Sequence, residues 1–348
     1  MLAAVTRSPG NLVLDNIPAP ATPAAGRVIV RPEVVGICGS DLHLFSGDVG
    51  SLSGVPEFYP RIQGHEVSAV VERAGAGCPP ELSPGTRVAV LPLTSCGRCY
   101  PCRSGRPNVC ARLRLVGVHI DGGLQEYLDV AADAAFPVGG LDAGRAAFVE
   151  PMSIAVHALR RAGPITGERA VIVGAGPIGL ATVIAAGDAG AETMVIDPEV
   201  TRQNLAMAAG ASRAVWGEPA GLLEAVREWT GGEGAPLVIE ASGEPSVLAQ
   251  ALEMACPAGR VVVVGMSAGT AEVRPGVLPE KEIDVLGSSC ASGADFAEAI
   301  RLVTAHAGLV GSLLTHRFPL RRAAEAFDLA MKRQPGAVKI LVTIDSAS

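Results

Sequence analysis

Four cysteines crowd into one short stretch as Cys96-x2-Cys99-x2-Cys102-x7-Cys110. Four thiolates at this spacing can close a tetrahedron around one zinc ion. Such a site keeps no open position, so its implied role is to hold a loop. The competing readings are free thiols and an iron–sulfur cluster, and nothing else in the chain suggests electron transfer. A second group, Cys38, His65 and Glu66, is too dispersed for a local finger. Brought together by a fold, three such ligands leave one coordination position open, as a catalytic zinc requires. Each also has an ordinary reading: a small core cysteine, a hydrogen-bonded histidine, a solvated glutamate. Spacing alone does not choose between them.

The third group is Gly174-Ala175-Gly176-Pro177-Ile178-Gly179, directly after the apolar run Val171-Ile172-Val173. A G-x-G-x-x-G between strand and helix points to a dinucleotide. Gly174 permits the tight turn, Gly176 lets the backbone approach a pyrophosphate, and Gly179 lets helix and strand pack closely. The helix N-terminus then faces the phosphates with its partial positive charge. The following strand ends at Asp197, whose carboxylate suits the two ribose hydroxyls and repels a 2′-phosphate, favouring NAD over NADP. Arg202 nearby works against that preference, and Asp197-Pro198 also reads as a turn or cap. Val264, near the end of a later strand, is counted with the cofactor residues.

The elements that must position these groups fall into two kinds. Short β-branched runs bounded by Gly or Pro fill the first 150 residues, including 27–31, 66–72 and 86–91. From Arg169, apolar strands (170–173, 193–196, 213–216, 237–240, 261–265, 283–286) alternate with helical stretches such as 178–189, 200–209 and 244–256. That alternation predicts a doubly wound parallel sheet. A tail of helix (295–305), strand (314–318), helix (321–333) and strand (337–344) either caps the sheet or returns to the first domain.

The chain has 348 residues, 49% of them hydrophobic and 18% charged, enough for two packed domains. The net charge of −7 argues against nucleic acid. No apolar run reaches the roughly 20 residues that cross a bilayer. Met1–Pro9 has no secretory pattern. A cytoplasmic protein is expected, and a reducing compartment agrees with metal-bound cysteines.

Taken in order, Cys38-Gly-Ser-Asp-x-His43, Gly64-His65-Glu66, the four-cysteine lobe, Glu150-Pro151 and the 174–179 loop resemble the zinc-dependent medium-chain dehydrogenases over essentially the whole chain. The branch of sorbitol, L-idonate and L-galactonate 5-dehydrogenases is the most similar, above all through 96–102 and 117–123. The resemblance implies an α/β protein with a GroES-like β-barrel catalytic domain (1–152 and 291–348, discontinuous) and a Rossmann NAD-binding domain (153–290). It implies an active site in the cleft between them, two zinc ions per chain, NAD, and a homodimer or homotetramer. Cys38, His65 and either Glu66 or a water would hold the catalytic zinc, with Glu150 as a fourth or exchanging ligand. Ser40 would hydrogen-bond the substrate hydroxyl and His43 would pass the proton to solvent, although His43 also reads as a surface histidine.

The implied activity is reversible hydride transfer from a secondary alcohol (polyol, sugar or sugar-like cyclic alcohol) to NAD. A sugar-acid 5-dehydrogenase is the alternative. Polyol and sugar-acid relatives usually carry an arginine just after the last Rossmann strand, where this chain has Gly287-Ser288-Ser289-Cys290 and no arginine until Arg301, so a carboxylate substrate would lack an obvious bidentate partner there. Two further alternatives are a zinc-free reductase and a non-catalytic zinc- and dinucleotide-binding protein. Phe45, Phe58 and Tyr59 either line the pocket or pack in the core.

Overall fold

The computed structural model describes residues 1–48 and 58–344. The chain folds into two units, Met1–Glu150 with Ser292–Ser348, and Pro151–Ala291. The sequence also points to the loop between Ser46 and Tyr59 for pocket residues, and residues 49–57 of it lie outside the described residues.

The first unit is organised by a seven-stranded sheet. Its path runs Ala135–Pro137, Arg87–Val90, Glu66–Ala74, Arg27–Gly36, Lys339–Thr343 and Leu314–Pro319, with Leu128–Ala131 also on Arg27–Gly36. All of these pairs are antiparallel except the last, Leu314–Pro319 on Lys339–Thr343. Val28, Val30, Val35, Val67, Val88 and Val342 are buried together in one core. β-Branched side chains suit such a surface because their stiff χ1 costs little on a pleat. Pro32, which has no N–H to donate, falls at a register shift. The tail thus returns to this unit, and its last strand lies beside Arg27–Gly36.

Pro151–Ala291 holds a six-stranded parallel sheet, ordered Arg213–Val215, Glu192–Ile196, Arg169–Val173, Ala235–Glu240, Ala255–Val263, Asp284–Gly287. The order reverses beside Arg169–Val173, which makes that strand's C-terminal end the ligand-binding position of a doubly wound sheet. Trp216, read as strand, lies beyond it and is exposed. Helix Pro219–Trp229 fills the place that the alternation leaves between two strands, and Leu222, Val226 and Trp229, at helical spacing, are its buried face. Among the described residues no helix is long and apolar enough to cross a membrane.

Candidate active site and cofactor loop

Strand register builds the first cluster. Gly36 pairs with Glu66 on one side and with Leu341 on the other. Cys38 lies two residues past one strand's end and His65 immediately before the next strand's start, so pairing alone sets them side by side. One ligand atom each from Cys38, His65 and Glu66 lies within 4.8 Å of the others. A Cβ at Gly36 would collide with Glu66 Oε2, so glycine makes room for the carboxylate. That oxygen is buried without a hydrogen-bond partner. An orphaned buried acceptor costs about 1–3 kcal/mol, and a cation among thiolate, imidazole and carboxylate removes the cost. This donor set suits zinc, and the residues fit the ion.

Two residues that the sequence reading left without a role support the cluster. Asp41, fully buried, accepts hydrogen bonds from the Cys38 N–H at 3.0 Å and the Gly64 N–H at 3.2 Å. Its Oδ2 lies 3.5 Å from His65 Nδ1, a charge contact too long for a good hydrogen bond, and that ring nitrogen is buried without a hydrogen-bond partner. Among the protein groups alone, burial pulls His65 down, but Asp41 and Cys38 outweigh it and hold the imidazole well above its ordinary value. Lys339 is 1% exposed and donates to Glu66 Oε1 at 2.5 Å and to the Ile37 carbonyl at 3.1 Å. Glu66 therefore holds one oxygen on the lysine and keeps the other without a hydrogen-bond partner, and one of the two lies within 4.8 Å of the Cys38 and His65 ligand atoms. Each residue had a signal. Cys38-x-x-Asp41 forms the capping box of helix Gly39–Ser46, and Lys339 is a lone cation in an apolar run.

Ser40 and His43 are three apart on that helix and both half-buried, so they share a face. His43 Nδ1 is 3.4 Å from the exposed Asp48 carboxylate. Glu150 sits in the first turn of helix Val149–Ala162 and lies outside the close Cys38–His65–Glu66 group. Burial and the neighbouring Glu66 push its carboxyl up to about 7, against the pull of His65 and Lys339. Phe45 is core: it packs on Phe327 with ring centroids 5.1 Å apart.

The four cysteines 96, 99, 102 and 110 likewise lie within 4.8 Å of one another. Cys99 Sγ is 3.3 Å from Cys102 Sγ and 3.6 Å from Cys110 Sγ. Zinc–sulfur bonds of about 2.3 Å separate tetrahedral sulfurs by about 3.8 Å, so little adjustment is needed. Cys110 also accepts the N–H groups of Cys96 and Arg112. The Arg98 N–H holds Cys96 down at about 6. Replacing Cys110 by serine should remove one zinc per chain and open 93–115 to proteases while sparing the other cluster. Unchanged metal content and protease resistance would refute a closed zinc site.

In the second unit the glycine loop divides by function. Gly174, at φ 98°, passes within 2.9 Å of Ser242 where a Cβ would stand, and a Cβ on Gly179 would collide with the Gly174 carbonyl oxygen. Gly176 has an ordinary φ of −70° and open space at its Cβ position. The protein itself therefore requires glycine at 174 and 179 and not at 176. Pro177 and Ile178 open helix Pro177–Asp188. Asp197, 3% exposed, meets this loop. Its Oδ2 accepts the Ala175 N–H at 2.7 Å and its Oδ1 the Glu199 N–H at 2.9 Å. It thus performs the turn-and-cap role now, and ionised carboxylate oxygens retain further acceptor sites. Arg202 lies 3.0 Å from Glu199 and 4.0 Å from Asp197. Val264 donates its N–H to the Glu240 carbonyl at 2.8 Å.

Residues 24–140 match the alcohol dehydrogenase GroES-like domain and residues 177–305 the zinc-binding dehydrogenase family. The L-galactonate-5-dehydrogenase of Escherichia coli K12 is 33% identical over 322 residues, 92% of this chain and 93% of that one. The chain belongs to the zinc-type medium-chain dehydrogenases. The alcohol dehydrogenase RspB of Escherichia coli CFT073, solved with NADH, superposes with a TM-score of 0.87 at 33% identity over 99% of each chain. A zinc-binding type dehydrogenase of Sinorhizobium meliloti 1021, bound to NADP, gives 0.85 at 31% identity over 98% of each. This dehydrogenase is accordingly an oxidoreductase of alcohols. At its Gly287–Cys290 segment, which has no arginine of its own, Arg161 donates to the Gly287 carbonyl at 3.0 Å.

Proposed function

We propose that this dehydrogenase transfers a hydride reversibly between a secondary alcohol, of the polyol, sugar or sugar-like cyclic class, and NAD. The observation that carries the reading is the convergence of Cys38, His65 and Glu66, together with a Glu66 oxygen buried without a hydrogen-bond partner. Zinc held there would act as a Lewis acid and lower the pKa of the alcohol hydroxyl. Asp41 places its carboxylate beside His65 and ties down the Cys38 and Gly64 N–H groups, and Lys339 fixes one oxygen of Glu66. Ser40 would hydrogen-bond the alcohol hydroxyl and, as it takes up that proton, hand its own to His43, which beside Asp48 passes it towards solvent. The four-cysteine lobe takes the structural zinc. Glu150 is an exchanging ligand or base close to neutrality.

NAD is favoured because Asp197 is a buried acid at the loop and Glu199 holds the Arg202 guanidinium that a 2′-phosphate would need. Gly176 supports a dinucleotide most directly, since only a ligand gives a reason for its missing side chain. Gly176→Ala should fold and keep its zinc like the parent, yet bind NADH at least about tenfold more weakly, the cost of losing one or two phosphate hydrogen bonds. Fluorescence titration with NADH measures this. Equal affinity would show that the phosphates lie elsewhere.

The same reading includes a cytoplasmic homodimer or homotetramer. Asp284–Gly287 is an edge strand with Val285 exposed, which suits pairing with a second copy. The deciding experiment follows NADH absorbance over a panel of polyols, sugar acids, amino alcohols and simple secondary alcohols, with zinc counted in the same preparation. Two zinc ions per chain and turnover of a neutral polyol are expected. A clear preference for a carboxylate substrate would favour the sugar-acid reading, and NADH binding without any turnover would overturn the enzymatic one.

A further inference from the structure

Three loops leave adjacent strand ends in the second unit: Gly174 onward after Arg169–Val173, Ala241–Gly243 after Ala235–Glu240, and Val264–Met266 after Ala255–Val263. Glu240 stands between them, 3% exposed. Its Oε1 accepts hydrogen bonds from the Ser242 N–H at 2.7 Å, the Ser242 hydroxyl at 2.5 Å and the Gly243 N–H at 3.0 Å. Its own carbonyl accepts from the Val264 and Gly265 N–H groups at 2.8 and 3.0 Å. The Ala241 N–H donates to the Val173 carbonyl at 2.9 Å, which fastens the middle loop to the strand that feeds Gly174.

The packing around this acid leaves no slack. A Cβ on Gly174 would come within 2.9 Å of the Ser242 nitrogen, and one on Gly265 within 2.6 Å of Glu240 Oε2 while colliding with the Gly243 nitrogen. The first and third loops therefore rest against the turn that Glu240 curls. Burying a carboxylate is unfavourable unless donors surround it, and here three donors from a single turn meet one oxygen. Strand pairing alone gives no reason for an acid at this position.

We propose that Glu240 is a positioning residue for the cofactor. Through the 241–243 turn it fixes the height of Gly174, and so aims the N-terminus of helix Pro177–Asp188 at the pyrophosphate. This rests on the dinucleotide reading above. It adds a residue that need not touch the nucleotide.

The test uses the full-length, zinc-loaded enzyme. NADH affinity is read by fluorescence titration, and kcat and KM for NAD by steady-state kinetics. Glu240→Gln keeps the reach of the acceptor oxygen and should bind NADH within about threefold of the parent. Glu240→Asp keeps the charge, shortens the reach by one methylene and should weaken NADH binding about tenfold, with KM for NAD raised in step. Its kcat at saturating NAD should stay within about threefold of the parent, because loose positioning of the free loop is a binding cost. Glu240→Ala should be at least as weak as Glu240→Asp, and if it does not fold, the Asp and Gln pair decides alone. Parent-like affinity in Glu240→Asp overturns the proposal, as does a Glu240→Gln enzyme as weak as Glu240→Asp, or a kcat that falls with zinc content while KM stays fixed. Failure of the parent itself to bind NADH would instead remove the dinucleotide reading.

Discussion

Replacing Lys339 by methionine is expected to destabilise the zinc-free protein by about 3–5 kcal/mol, the usual cost of stranding one partner of a buried ion pair. Glu66 is 1% exposed and the lysine is its only hydrogen-bond donor among the described residues. Without that cation both oxygens are buried and unpaired. Zinc would replace part of the lost charge, so the deficit should be larger after chelation than with metal bound, since a ligand of the native state adds its binding free energy to stability. Denaturant unfolding with and without chelator separates the two values. A double variant, Glu66→Met with Lys339→Met, should recover much of the chelated stability, because apolar pairs of similar volume often replace buried ion pairs without loss. It should not recover turnover. If Lys339→Met unfolds like the parent in both conditions, the pair contributes nothing and Glu66 is not held by it.

Cys38→Ser is expected to lower kcat by about a thousandfold or more, since a Lewis acid supplies several kcal/mol and each 1.4 kcal/mol is a factor of ten. A hydroxyl is a far poorer zinc ligand than a thiolate, so metal content should fall by one ion per chain, with the four-cysteine lobe still filled. Serine keeps the size and half-buried setting of Cys38, and the Asp41 bond is made to its backbone N–H. The fold should therefore survive, which makes the loss attributable to the metal. Full turnover in this variant would falsify the catalytic role of the trio.

Much of this was legible in the residues because the relevant signals are local. The four cysteines, the 174–179 loop and the alternating strands of the parallel sheet each carry their meaning within a short window. Helix Gly39–Ser46 was not read, because Cys38-Gly-Ser-Asp looks like a turn until Asp41 is recognised as reaching back to the Cys38 N–H. Lys339 was not read because its partner lies 273 positions away. Only the pairing of Lys339–Thr343 with Arg27–Gly36 brings the two together. Glu240 was taken as the end of a strand, and its role depends on three loops that meet only in space.

The last strand has a consequence for how the molecule is made. Lys339 completes the surroundings of Glu66, yet the ribosome delivers it after every residue of the parallel-sheet unit. On a growing chain the second unit can finish folding while the first still lacks an edge of its sheet. Cys38, His65 and Glu66 are therefore made early and acquire their full setting only once Lys339 has been added. A product that stops short of the final strand would carry the nucleotide loop intact and an unbalanced carboxylate beside the metal ligands. The cell would meet a failed copy as a dinucleotide binder without chemistry, and its open sheet edge would mark it for removal.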